Sequence, residues 1–326
     1  MAYLLRRGSF YLLTAVVAIS LNFLLPHLMP GNPAEIIVAR EQTKVSPQQL
    51  LALERLFGVN THASLLSQYF SYWGHLFHGS LGRSVTYFPE PVMNVIGHAL
   101  PWTVVLVGLS TVISFLLGTL LGIVVAWRRG SFLDSLLPAT TFFSAVPYFW
   151  LALLAILVFS VELHLFPAAG GYANGLTISF SGRFLGSALY HGVLPACTVV
   201  VSSLAGWLLG MRNMMVTTMS EDYVVVAKAK GLPDRRVMLT YAARNALLPN
   251  LAGFAMSLGF VVSGALLVEI VFSYPGIGYT LYEAVTNDDY PLMQGIFLII
   301  TLAVLGANML ADACYVFLDP RVREEA

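Results

Sequence analysis

Long apolar runs, rather than short alternating or 3.6-periodic patterns, organise this chain. A helix needs about 20 apolar residues to cross the hydrocarbon core of a bilayer. Six runs reach that length without Asp, Glu, Lys or Arg: 10–29, 101–127, 135–161, 184–211, 246–268 and 290–311. They predict an all-α, polytopic membrane protein with six transmembrane helices, at 10–29, 101–127, 135–161, 190–211, 246–268 and 290–315. A core of membrane-crossing helices then spans 95–315. The first run is too long for the apolar region of a signal peptide, and no small-x-small cleavage site follows it, so it reads as a retained anchor.

Prolines 138, 147, 195 and 249 fall inside these runs. Neighbouring helices in a membrane bundle can re-satisfy the backbone groups that such prolines free. The pairs Gly118/Gly122 and Gly206/Gly210 have the spacing that lets helices approach closely.

Composition agrees. Hydrophobic residues make up 57% and charged residues 10%, against about 25% charged in an ordinary globular protein. So few charges exclude a soluble body of this size. With 17 basic and 17 acidic residues the net charge is zero, which leaves no polycationic surface for nucleic acid. Cys197 and Cys314 lie in apolar runs, where thiols pack as small hydrophobes rather than forming a disulfide framework. Basic residues set the orientation. With both termini in the cytoplasm, twelve Lys and Arg lie inside and five outside.

Two connections are more than links. In the outer segment 30–99, Ser46 and Pro47 open a capped helix, and Leu65 to Phe77 form an aromatic-rich stripe suited to the outer leaflet. His75 and His78 lack the carboxylate or thiol company of a metal site. In the inner segment 212–245, Ser220 is expected to cap an eleven-residue amphipathic helix with Glu221 and Asp222 in its first turn and Lys228 and Lys230 in its last. Gly231 stands at the stop position and Asp234 is expected to cap a second helix. Charge bias alone explains the basic residues but not two capped ends, so a docking element for a soluble partner is favoured. The tail 316–326, the N-terminal 1–9 and the outer loops 162–184 and 269–289 complete the plan.

No phosphate-cradling G-x-x-x-x-G-K-[ST] motif occurs, nor H-E-x-x-H, C-x-x-C or G-x-S-x-G. No catalytic, cofactor or metal residues are expected. The middles of the runs carry no charged side chain, unlike a proton-driven carrier. Glu269 and Asp312 sit near run ends and are expected to hydrogen-bond within the bundle or reach the interface, while Asn22 and Asn308 suit interhelical polar contacts.

The stretch from Glu221 through Asp222, Ala227 and Lys228 to Gly231, continuing past Arg235 to Asn245 and Pro249, resembles the EAA signature of ABC-importer permeases. Further motifs resemble the oligopeptide/dipeptide/nickel branch. They are Pro30-Gly31-Asn32-Pro33, Gly79-Ser80-Leu81-Gly82-Arg83-Ser84, Val146-adjacent Pro147-Tyr148-Phe149-Trp150, Pro275-Gly276-Ile277-Gly278, Asp289-Tyr290-Pro291-Leu292 and Asp319-Pro320-Arg321. The resemblance implies a type I ABC importer bundle in a prokaryotic inner membrane, with the EAA segment (Glu221, Asp222, Ala227, Lys228, Gly231, Arg235) coupling to ATPase subunits. Glu269, Pro275, Gly276, Gly278 and Asp312 are then structural or pathway candidates. It implies a second permease as heterodimer partner, two ATP-binding subunits that carry ATP and Mg, and an outer solute-binding protein. Peptide is the expected solute, with oligosaccharide or nickel as alternatives and a self-sufficient channel or carrier as the rival class.

Overall fold

The structure, a computed structural model, describes the backbone at 2–28, 64–128, 130, 132–135, 137–263 and 265–318, and within these the side chains other than 2–7, 25–27, 133, 134, 144, 263 and 310–318. The capped helix expected after Ser46 lies outside the described residues.

Along the chain run α1 (Ala2–Leu28), α2 (Leu65–Phe77), α3 (Val92–Trp127), α4 (Phe132–Ser135), α5 (Leu137–Ala145) and α6 (Tyr148–Ala155), which continues as a π-helical stretch Ile156–Glu162. Then come α7 (Gly182–Thr218), α8 (Asp222–Ala229) and α9 (Asp234–Arg236), a second π-helical stretch Val237–Ala243, and α10 (Arg244–Gly259). After a 3₁₀ turn at Val261–Ser263, α11 (Leu266–Val271), α12 (Ile277–Thr286) and α13 (Tyr290–Leu318) end the order. Among the described residues the regular elements are helical, with one isolated antiparallel bridge between Arg83 and Pro91.

Among the described residues three helices are long and apolar enough to cross a membrane, Val92–Trp127, Gly182–Thr218 and Tyr290–Met309, or four if the bent pair 137–143 and 148–162 is one span. The apolar part of α1, Gly8–Leu24, is shorter. The second and fourth predicted spans are extended at their N-terminal ends, with Pro101 and Pro195 inside the helices. Ser181 sets the start of α7, its hydroxyl accepting from Phe184 N at 3.3 Å.

The third and fifth expected crossings are interrupted. Segments 137–143 and 148–162 meet at 93°. Pro147 explains the break: it supplies no N–H, disfavours helical backbone in the residue before it, and stands as the N-cap of α6. The fifth run stops as α-helix at Gly259 and resumes at Leu266. Pro249, by contrast, lies within α10.

The chain divides into two compact units, residues 1–102 with 275–326, and residues 103–274. In the first, α1 packs on α13 and α12 on α13. Asn22 Nδ2 donates to Gln294 O at 2.8 Å and Gln294 Nε2 donates back to Asn22 O at 3.2 Å, the interhelical polar contact expected of Asn22. Tyr69 and Tyr72 of α2 face α1: Ser20 Oγ and Tyr69 OH are 2.7 Å apart, and Phe23 lies 5.3 and 5.6 Å from the two rings. The aromatic stripe thus seats one face on the first helix, leaving Leu65, Leu66, Phe70 and Phe77 exposed.

In the second unit α7 is central, with α5, α6, α10 and α11 packed on it. A Cβ built at Gly118 would lie 2.6 Å from Trp207 Cβ, and one at Gly122 would lie 2.6 Å from Leu208 O. The α3–α7 crossing therefore needs these glycines, as their spacing predicts. Gly210 meets Asn250, whereas Gly206 meets nothing within 4 Å. Buried Asn250 donates toward Thr119 Oγ1 and Trp207 O, both at 3.4 Å. Cys197 is exposed rather than packed in this unit.

Candidate functional site

The turn after α7 is built differently at its start from the expected cap. Ser220 Oγ donates to Thr217 O at 2.7 Å. It thereby serves one of the carbonyls orphaned at the end of α7 instead of capping the next helix. Glu221, in extended conformation, is the N-cap of α8 and makes no side-chain cap bond; Asp222 opens the first turn, where its charge suits the helix dipole. The helix is eight residues long, shorter than expected.

Its C-terminal end matches the expectation for Gly231. Lys230 is the C-cap, and Gly231 takes φ +72°. Gly231 N donates to Lys228 O at 2.9 Å and Leu232 N to Ala227 O at 3.4 Å. These paired bonds around a left-handed residue close the helix and satisfy its last carbonyls. Pro233, not Asp234, is the next N-cap; Asp234 and the exposed Arg235 lie in the single turn that follows.

The short helix has two unlike faces. Val224, Ala227 and Val237 form a buried cluster, with Trp127, Leu232 and Tyr241 packed against it. Lys228 Nζ sits 5.2 Å from the Trp127 ring centroid, and Asn245 Nδ2 donates to Tyr223 OH at 3.0 Å. A second cluster joins Ile123 and Ala126 of α3 to Met211 and Met215 of α7 and to Ala242, Ala243 and Ala246. Glu221, Asp222, Tyr223, Val225 and Val226 are exposed. Of the sequence-derived coupling residues, Ala227 therefore anchors the helix, and Glu221, Asp222, Lys228, Gly231 and Arg235 lie on the surface. An apolar pair ringed by charge on a rigidly seated helix suits insertion into a protein groove rather than catalysis.

Glu269 lies in α11 and is wholly buried. Thr103 Oγ1 donates to its carboxylate at 2.8 Å, as the expectation of a hydrogen bond within the bundle requires. Tyr274 N donates to Glu269 O at 2.8 Å. Burial, and then the Glu269 charge, push the Tyr274 phenol above its ordinary range. The following residues shape a turn. Gly276 is the extended N-cap of α12, its carbonyl accepting from Thr280 N at 3.0 Å and Thr280 Oγ1 at 2.8 Å, with Gly278 buried in the first turn. Pro275 directly precedes that cap. Asp312 lies in α13, its side chain outside the described residues.

A polar hub escaped the sequence reading. Asp289 is fully buried in the first unit. Its Oδ2 accepts from Ser84 Oγ at 2.5 Å and Thr86 N at 2.8 Å, and its Oδ1 from Leu292 N at 3.1 Å. One carboxylate thus caps α13 and holds the turn at 84–86. Two motifs noted separately in the sequence, Gly79–Ser84 and Asp289–Leu292, meet here. Nothing local pairs positions 205 residues apart. Nearby, Tyr87 OH donates to the Glu283 carboxylate. Burial and this carboxylate raise the Tyr87 phenol above its usual range. Among the described residues no three His, Cys, Asp or Glu gather as for a metal ion.

Residues 118–324 match the family described as binding-protein-dependent transport system inner membrane component. Over its full length the chain is 33% identical to the di/tripeptide transport system permease protein DppB of Pseudomonas aeruginosa, covering 99% of that protein. It is 28% identical to the oligopeptide transport system permease protein AppB of Bacillus subtilis, over 98% of this chain and 99% of the relative. The dipeptide transport system permease protein DppB of Lactococcus lactis is 29% identical over the same shares of the two chains. The helical architecture of the described residues and their membrane-length apolar helices agree with this match. The chain belongs to the family of inner membrane components of binding-protein-dependent transport systems, as a permease subunit of an ATP-binding-cassette importer.

Proposed function

We propose that this permease carries di- or oligopeptides inward, as half of a translocation pathway completed by a second, homologous permease. The peptide reading is supported by three relatives matched almost end to end and named for di-, tri- or oligopeptide transport. A solute-binding protein delivers the peptide from outside, and two ATPase subunits bind ATP and Mg on the cytoplasmic side. The chain crosses the membrane six times with both termini inside, and the interrupted third and fifth segments count as crossings in this reading. The charge bias of twelve basic residues inside against five outside supports the orientation.

The observation that carries the mechanism is the two-faced helix Asp222–Ala229. Its Val224 and Ala227 are buried, and its Val225 and Val226 are about half exposed between acidic and basic neighbours. We assign the exposed face, with Glu221, Asp222 and Arg235, as the dock for an ATPase subunit, while Lys228 turns toward Trp127. ATP binding closes the ATPase pair, the docked helices move as levers, and the pathway switches from inward- to outward-facing. Glu269, Pro275, Gly276 and Gly278 act as shaping residues, the first through its buried bond to Thr103.

Reconstitution tests the reading. Liposomes holding both permeases, the ATPase subunits and the binding protein should accumulate labelled dipeptide only with ATP, and this chain alone should neither hydrolyse ATP nor move solute. Uptake of nickel or an oligosaccharide but not peptide would overturn the substrate assignment, and uptake by the lone chain the subunit assignment. In a cysteine-free background, Thr61→Cys should be labelled from outside and Ser220→Cys only after permeabilisation; the reverse pattern would end the topology.

A further inference from the structure

The short helix Asp222–Ala229 is tied to the membrane-length helices along the chain and through space. Along the chain, residues 219–221 join it to α7, and the left-handed Gly231 after its C-cap leads on to α9. Through space it reaches α3 by way of Trp127. This residue is the last of Val92–Trp127, and its side chain packs on the cluster of Val224, Ala227 and Val237. Lys228, in the last turn of the short helix, lies over the same indole at 5.2 Å.

Just upstream, the helix that ends in Trp127 is tightly engaged. Gly118 and Gly122 bring its backbone against α7, with no room for a Cβ at either position. Ile123 and Ala126 pack with Met211 and Met215. A displacement of the short helix must therefore either carry Trp127 along or break its apolar contact with the buried cluster of Val224, Ala227 and Val237. If it carries Trp127, the movement enters a helix whose last turns are locked to α7.

We propose that Trp127 is a positioning residue that passes movement of the helix Asp222–Ala229 into the long helix Val92–Trp127, with Lys228 holding the indole in register. Turning over solute then depends on this contact, whereas binding the ATPase depends on the opposite, exposed face. The inference rests on the reading that the exposed face is the ATPase dock.

The experiment compares Trp127→Ala, Trp127→Phe, Lys228→Met and the double variant Trp127→Ala/Lys228→Met. Each is reconstituted with the partner permease, ATPase subunits and binding protein. The readouts are solute moved per ATP hydrolysed and retention of the ATPase subunits. Trp127→Ala should keep the ATPase subunits and most of the ATP hydrolysis while solute moved per ATP falls about fivefold, within the range by which residues along a coupling route act. Trp127→Phe should restore most of that ratio. Lys228→Met should lower it about twofold, as loss of an exposed cation–π contact allows, and should add nothing further in the double variant. An unchanged ratio in Trp127→Ala, or transport and hydrolysis falling in equal proportion, would overturn the proposal. Loss of the ATPase subunits from Trp127→Ala would also overturn it, by making Trp127 part of the dock itself. Should Trp127→Ala fail to accumulate, an unchanged ratio in both Trp127→Leu and Lys228→Met decides against it. Failure of the underlying docking reading shows elsewhere: Val226→Cys, with Trp127 intact, would then not cross-link to an ATPase subunit.

Discussion

The turn at 217–245 and the hub around Asp289 both hold chain segments in place, but with opposite materials. The turn relies on backbone bonds around Gly231 and on apolar packing of Val224 and Ala227, and it keeps its charged side chains in solvent. The hub buries a carboxylate completely and surrounds it with donors from Ser84, Thr86 and Leu292. A buried acceptor in such a network is costly to leave unpaired, so the hub tolerates little displacement. The short helix, by contrast, is anchored by one apolar face and leaves its other face in solvent.

That contrast predicts where substitutions will be felt. The largest effect is expected from Asp289→Ala, which strands the donors of Ser84, Thr86 and Leu292 in a buried site. A loss of about 3–5 kcal/mol is the scale for breaking such a network, seen as a fall in thermal midpoint in detergent and in protein recovered from the membrane. Stability near wild type would make the hub ornamental and erase the contrast. Gly122→Ala should come next. Its new methyl would press on the Leu208 carbonyl, which backbone cannot easily yield, for about 1–3 kcal/mol of overpacking.

Substitutions in the inner turn should instead register in transport. Gly231→Val forces a β-branched residue into a left-handed conformation, at about 1–2 kcal/mol. It should reorient the helix and sharply reduce transport and solute-stimulated ATP hydrolysis, with membrane insertion intact. Glu221→Lys costs the helix under about 1 kcal/mol, yet it reverses the charge on the exposed face and should weaken ATPase association. If both kept full transport and normal ATPase assembly, residues 220–231 would not be the dock. Arg183→Gln, outside the turn, serves as the control and should leave ATPase coupling nearly intact.

The smallest effect is one of pH. Because the Tyr87 phenol is raised in the folded protein by burial and by Glu283, its contribution to stability is complete below its unfolded value of about 10. It is lost as pH rises beyond that, since the unfolded chain gives up the proton first. Thermal melts between about pH 9 and pH 11 should therefore fall less steeply for Tyr87→Phe than for wild type. Parallel slopes would remove Tyr87 from the hub's surroundings.

Much of the turn at 217–245 was legible in the residues because its determinants are local. Gly231 stops the helix through contacts at most five residues away, and local spacing marks such a position. Ser220 was misread for an equally local reason: two helix ends compete for one hydroxyl, and only the path of the backbone decides between the last carbonyls of α7 and the first amides of α8. Glu269 was readable only as a carboxylate that bonds within the bundle or reaches the interface; its complete burial and its partner Thr103 were not. Asp289 was noted within a motif and not as a hub, because its partners come from a turn far away in sequence.

Apolar run length, proline placement and the positions of Lys and Arg were enough to establish an all-helical membrane protein, since burying a backbone in hydrocarbon demands helices of that length. Gly231 likewise marked where the short helix ends. Where the runs break, which glycines carry a helix crossing, which face of the short helix is buried on Trp127, and that Ser84 and Asp289 meet were decided only by tertiary packing. Each depends on the direction of a side chain relative to a distant segment, and no local pattern encodes that geometry.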